Sequence, residues 1–160
     1  MAETPFHEVP GLLGSSQTAL PITGTESRTT IQFSPEGKRG AAMLLAAAPS
    51  SRGRLYLVLE RLRGTLDATI LQVYVGWNVD ALPHLLVGSW GLFGLRMASL
   101  QYAGEPGNGL DKSFDITALL SSALPDAGAE LSVRIVPNRP LPAPAKLVVE
   151  RLSVTYRPPN

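Results

Sequence analysis

Residues 54–62 read Arg54-Leu55-Tyr56-Leu57-Val58-Leu59-Glu60-Arg61-Leu62. Leu55, Leu57 and Leu59 alternate with Tyr56, Val58 and Glu60, the period of two that an extended chain imposes on its side chains. Both faces are apolar over most of the length, which predicts a central strand covered on two sides. A second segment of the same kind, Thr69–Trp77, sets Ile70, Gln72 and Tyr74 against Leu71, Val73 and Val75. Only the turn at Gly64–Asp67 separates the two, so they are expected to form a hairpin or lie close together.

Further strands follow by the same reasoning. Thr29–Phe33, Leu85–Trp90, Leu131–Val136 (ended by Pro137) and Lys146–Tyr156 are apolar or alternating runs bounded by turn residues. Gly and Pro make 29 of the 160 residues, a punctuation density suited to short strands and many turns. The expected fold is all-β, a jelly-roll-like sandwich. Ile116, Leu119, Leu120, Ala123 and Leu124 fall at helical spacing, with Asp115 as cap and Pro125 as stop, so one short helix is expected near 115–124. A second helix start is written at Ser34-Pro35-Glu36, leading into Ala41–Ala48 and Pro49, although Gly37 and Gly40 disfavour it. Residues 1–28, broken by Pro5, Pro10, Gly11, Gly14, Pro21 and Gly24, read as an extended approach segment to a single domain at 29–157.

One internal echo is present. Leu57-Val58-Leu59-Glu60-Arg61-Leu62 resembles Leu147-Val148-Val149-Glu150-Arg151-Leu152. Six residues at one recurrence make two strands of similar burial, candidates for pairing, rather than a repeat.

Composition excludes several chemistries. There is no cysteine, and His7 and His84 are the only histidines, so thiol catalysis, zinc ribbons and histidine-rich metal centres are not expected. Fourteen Lys and Arg against 13 Asp and Glu give a net charge of +1, without the electrostatic footprint of a nucleic-acid binder. The longest apolar run, Ala41–Ala48, is too short to span a bilayer. The opening Met1–Pro5 has neither the basic nor the apolar region of an export signal, so a soluble chain that is not exported is expected.

Near-motifs fail on spacing. Val87-Gly88-Ser89-Trp90-Gly91 has valine where a nucleophile elbow needs its first glycine, and no histidine follows Ser89. Gly104–Ser113 is glycine-rich but lacks the Walker spacing, and Gly104–Gly109 reads as a loop. Pro83 between Asp80 and His84 disrupts a helical metal pair. Arg52, Arg54, Arg61 and Arg63, offset by Glu60, read as a solvated strand face. The aromatics Trp77, Trp90, Phe93 and Tyr102 divide between core packing and a partner-facing patch.

The order of segments resembles a known family. Leu55–Glu60 with Ile70–Val75, then Val87–Trp90, then Phe114-Asp115-Ile116-Thr117 with Leu119-Leu120, then Leu131–Pro137 and Leu147–Tyr156, is similar to the C-terminal domain of tyrosinases and plant polyphenol oxidases. Leu12–Ser15 and Leu20–Gly24 resemble the linker of bacterial members. Plant members carry Lys-Phe-Asp-Val in the second central strand, where this chain has Ile70-Leu71-Gln72-Val73, which favours the bacterial-type branch.

The resemblance implies a β-sandwich that covers a dicopper pocket and keeps the enzyme latent. The family's catalytic domain holds its coppers with six histidines. With two histidines, this chain is expected to be the shielding domain alone: no enzyme, no cofactor of its own, and a tyrosinase-type catalytic domain as partner. No nucleic acid or membrane partner is expected. The family's pocket-filling side chain sits on a variable loop. Ser34–Arg54, Asn78–His84 and Gly91–Leu95 are the candidate segments, and Phe93, an apolar residue between glycines, is the favoured plug. Trp77, His84, Trp90 and Leu92 are further interface candidates. The alternative is a free-standing binding module using the aromatics from Trp77 to Tyr102. An enzyme in its own right is a third reading, which bound copper or bare oxidase activity would support.

Overall fold

The computed structural model describes residues 11–47, 53–65, 69–77, 85–99, 108–118, 130–142 and 146–158. Its strands are β1 (Leu12–Ser15), β2 (Leu20–Ile22), β3 (Ser27–Phe33), β4 (Arg54–Arg63), β5 (Ile70–Trp77), β6 (Leu85–Gly91), β7 (Leu110–Asp115), β8 (Glu130–Pro137) and β9 (Leu147–Arg157). Helices α1 (Pro35–Ala46) and α2 (Leu95–Ser99) complete the described elements. All pairings are antiparallel, in the order β6-β5-β8-β3-β1-β9-β4-β7, with β2 pairing β9 beside β1. The fold is all-β, as the alternation predicts. One sheet curls until its end strands approach, at Gly88 of β6 and the Phe114 ring of β7.

Alternation explains the core. Leu55, Leu57 and Leu59 of β4, Leu71, Val73 and Val75 of β5, and Leu131, Val133 and Ile135 of β8 are all fully buried on the concave side. Trp77 meets Phe33 edge to face, ring centres 5.9 Å apart, a favourable arrangement of the two ring quadrupoles. Two bulges shift the phase. At Val73–Tyr74 of β5 the opposing β6 holds an extra residue, Val87, between Leu86 and Gly88. In β4 the phase slips at Arg61, whose φ of 56° is left-handed and whose N–H donates to Asp111 Oδ1 at 2.8 Å. The slip turns Leu62 back into the core.

Three expectations are corrected. β4 is covered fully on one face only: Tyr56, Val58 and Glu60 are half-buried, because their side faces outward. β4 and β5 are not a hairpin. β4 pairs β7 and β9, while β5 pairs β6 and β8, so the chain crosses the fold between them. Residues 11–28 are not an approach segment to the sheet but part of it. β1 lies between β3 and β9, and Leu13 and Ile22 are buried. Proline and glycine here mark two short strands and their turns, and the buried residues are spaced too sparsely to show a period.

The helix expected near 115–124 falls for the most part on residues 119–124, outside the described residues. Asp115 ends strand β7, and Ile116 is fully buried beside it. Asp115 Oδ1 accepts from Thr117 N–H at 2.9 Å, the bond expected of a cap, at the start of a helical turn over Thr117 and Ala118. The principal helix is α1, built on the Ser34-Pro35-Glu36 signature. Ser34 Oγ accepts from Gly37 N–H at 2.9 Å. Gly37 is compatible with the helix because strand β1 passes against it: a Cβ there would stand 2.0 Å from the Leu13 carbonyl oxygen.

Candidate functional site

Strand β6 ends at Gly91, and the chain then makes a tight turn into α2. Leu92 N–H donates to the Thr69 carbonyl at 3.0 Å, which continues the β5–β6 pairing by one residue. Leu92 and Leu95 are fully buried, each stabilising the turn by about 1.5–3 kcal/mol of apolar burial. Between them Phe93 is 85% exposed. Gly94 takes φ +79°, a conformation that a side-chain-bearing residue adopts only with strain. A Cβ on Gly91 would stand 3.8 Å from the Phe93 ring, in ordinary van der Waals contact.

The turn is fastened from below. Leu95 N–H donates to the Leu92 carbonyl at 3.2 Å and Ala98 N–H to the Gly94 carbonyl at 2.9 Å. Ser99 Oγ donates to the Leu95 carbonyl at 2.7 Å and accepts from Gly64 N–H at 3.0 Å. The result is a rigid apolar tip. From Leu85 to Leu95 the chain carries no ionisable residue. Ile70, opposite Gly91, and Leu86, opposite Tyr74, are also exposed on this outer side.

The other sequence candidates separate from Phe93. Trp77 and Trp90 are core residues at 6% exposure each, and Leu92 is the anchor beneath the tip. His84, like His7, Asp80 and Tyr102, lies outside the described residues. Ser89 is an exposed strand residue opposite Gln72. Lys112 and Ser113 belong to β7. Among the described residues, no three His, Cys, Asp or Glu side chains gather as metal ligands would.

A second polar cluster was legible only as the echo. β4 and β9 pair so that Glu60 faces Arg151. Arg151 Nε lies 2.7 Å from Glu60 Oε2, and Arg61 Nε lies 3.0 Å from Glu150 Oε2. Arg63 also reaches Glu150, at 3.4 Å, and Ser153 Oγ donates to Glu60 at 3.2 Å. Glu60, Arg61, Glu150 and Arg151 floor a shallow groove of about 480 Å³ walled by residues 16–19. Two copies of a Glu-Arg dipeptide, run antiparallel, neutralise each other, so the groove has no excess charge to aim at a ligand. Arg54 is paired with Asp115 at 2.7 Å.

Two carboxylates are held in their charged form. Hydrogen bonding from Arg28, aided by Arg134, lowers the Glu26 pKa against a desolvation cost. For Asp115 partial burial pushes upward, but hydrogen bonds from Thr117 and the Arg54 ion pair outweigh it and the net shift is downward. Both are structural ties: Glu26 bridges Arg28 and Arg134, whose guanidinium also lies over the Tyr74 ring at 4.4 Å.

No curated protein matches the chain. Residues 9–157 match the family described as Domain of unknown function (DUF7868), and the chain belongs to that family.

Proposed function

We propose that this chain is a non-catalytic shielding domain of a tyrosinase-type dicopper oxidase, and that Phe93 is the side chain it places in the copper pocket. The resemblance supplies the partner. The observation that carries the reading is the Phe93 tip: a ring 85% exposed, on a turn whose neighbours Leu92 and Leu95 are fully buried. A fold gains nothing by holding a phenylalanine in water on a fastened turn, whereas an apolar pocket that receives it gains its burial. That burial amounts to about 1.5–3 kcal/mol, or about tenfold to a hundredfold in affinity. A preformed tip also avoids the entropy cost of ordering a loop on docking.

The gating follows from occupancy. While the ring fills the pocket, a phenol cannot reach the coppers, which belong to the partner domain. Activity then requires displacement or removal of the cover. The free-standing binding module loses its main support, because Trp77 and Trp90 pack inside and do not form an aromatic face.

The test mixes the purified chain with a tyrosinase-type catalytic domain and follows diphenol oxidation. Inhibition that saturates near one-to-one, with co-elution on size exclusion, is expected. No inhibition together with no complex would end the proposal.

A further inference from the structure

Arg28 of β3 and Arg134 of β8 stand directly opposite each other in the antiparallel register. Like charges so placed repel and destabilise a sheet unless an anion comes between them. Glu26 supplies part of what is needed. Its carboxylate is divided, Oε1 to Arg28 Nε and Oε2 to Arg134 Nη1, the latter at 3.3 Å. Neither arginine therefore makes the two-pronged bond that a guanidinium fork offers, and two cations against one anion leave a positive charge over. The Tyr74 ring holds the Arg134 guanidinium in place, with Cζ 4.4 Å from the ring centre. Arg134 Nε is buried and has no hydrogen-bond partner among the described residues, a cost that folded proteins seldom carry without a reason.

The surroundings favour an anion. Alternation places Gly76, Ser132 and Thr30 in the neighbouring row of the same outer face, across β5, β8 and β3. None is longer than threonine, so the face dips beside the two arginines. Strands β5 and β6 bring no charge to it. Glu130, four residues along β8 from Arg134, stands roughly 13 Å away, beyond the screening length at physiological salt, and is bonded by Gln32 at 3.1 Å. The other opposed arginines, Arg54 and Arg157, are both exposed at strand ends, where water satisfies them.

We infer that Arg28 and Arg134 form a binding site for an oxyanion group, the phosphate or carboxylate of a small-molecule ligand, seated in the dip over Ser132 and Thr30. Such a group takes the guanidinium donors that Glu26 leaves unused and supplies the missing anion between the opposed charges. It competes with Glu26, the carboxylate that touches both arginines, so removing the Glu26 charge strengthens binding. The site lies on the outer face of β3, β8 and β5 and does not depend on the shielding function.

The test titrates the full chain with sodium phosphate and, separately, with sodium acetate, each against sodium chloride at equal ionic strength. Proton–nitrogen NMR of the arginine Nε–H groups follows binding. Saturating shifts of the Arg28 and Arg134 signals are expected in at least one of the two salts, and the salt that gives them identifies the group as phosphate or carboxylate. Arg28→Gln, at a half-exposed side chain, and Arg134→Gln are each expected to weaken binding at least about tenfold, with the far-ultraviolet circular dichroism unchanged. Glu26→Gln is expected to tighten it. Arg39→Gln removes the same charge from an exposed position on α1 and leaves binding unchanged. Shifts that do not saturate in either salt, that chloride reproduces, that Arg28→Gln and Arg134→Gln both leave intact, or that Glu26→Gln weakens, overturn the inference.

Discussion

Glu60 and Arg151 face each other across the β4–β9 pair at 2.7 Å, and the same dipeptide run in the opposite direction gives the reciprocal pair of Arg61 with Glu150 at 3.0 Å. A Glu-Arg step on each of two antiparallel strands necessarily sets acid against base twice. Because these groups are between about a third and a half exposed, screening limits the stabilisation. A double-mutant cycle with Glu60→Gln and Arg151→Gln is expected to give a coupling of about 0.2–1 kcal/mol by urea unfolding, shrinking as salt is raised. A coupling of zero at low salt would show that the pair is only geometric.

The closure of the sheet rests on the absence of a side chain at Gly88. A Cβ there would stand 2.7 Å from Phe114 Cδ1, so Gly88→Val forces the ring of β7 off its seat. A loss of about 1–3 kcal/mol is expected. Phe114→Ala leaves a cavity instead and is expected to cost about 3–5 kcal/mol. Combining Gly88→Val with Phe114→Leu should cost less than the sum of the single changes, which urea midpoints for the four proteins will show.

Phe93 separates stability from function. Phe93→Ala removes a ring that is 85% exposed, so the melting free energy should change by less than about 0.5 kcal/mol. Inhibition of a dicopper catalytic domain by the same variant should weaken about tenfold or more. Leu92→Ala is the contrast. It empties a fully buried position and should destabilise by about 2–5 kcal/mol.

Acid should loosen the fold through two carboxylates. The pKa of Glu26 lies below its ordinary 4.5 and that of Asp115 below its ordinary 3.8. A depressed folded-state pKa means that the unfolded chain takes up protons first as pH falls. Their contribution is therefore complete above the ordinary values and is lost progressively as the pH drops through them toward the folded-state values. Thermal melts between about pH 6 and pH 3 should show this fall. Asp115→Asn should be less stable at neutral pH and show a shallower acid limb, because it has neither the charge nor its linkage.

Much of the strand content was legible in the residues. The alternation of Leu55, Leu57 and Leu59 against outward side chains is a local property of an extended chain, so β4, β5, β8 and β9 could be located without partners. The Ser34-Pro35-Glu36 helix start was legible for the same reason, since a cap and its amide lie three residues apart. β1 and β2 were not, because three or four residues between prolines and glycines show no period, and their place in the sheet is set by β3 and β9. Asp115 was legible as a cap and does accept from Thr117 N–H, but its pairing with Tyr56 at the end of β7 depends on a distant strand and was not.

The sequence by itself determined the all-β class, the inward faces of the long strands and the neutral, glycine-bounded character of the Phe93 segment. It also contained the Glu-Arg echo, but not its meaning. Only the tertiary structure decided that the echoing strands pair antiparallel, that Trp77 and Trp90 are core, and that Phe93 is exposed between the buried Leu92 and Leu95. The physical reason is range. Periodicity and capping act within a few residues, whereas burial of an aromatic ring and the pairing of two distant strands depend on which segments meet, and only the closed sheet specifies that.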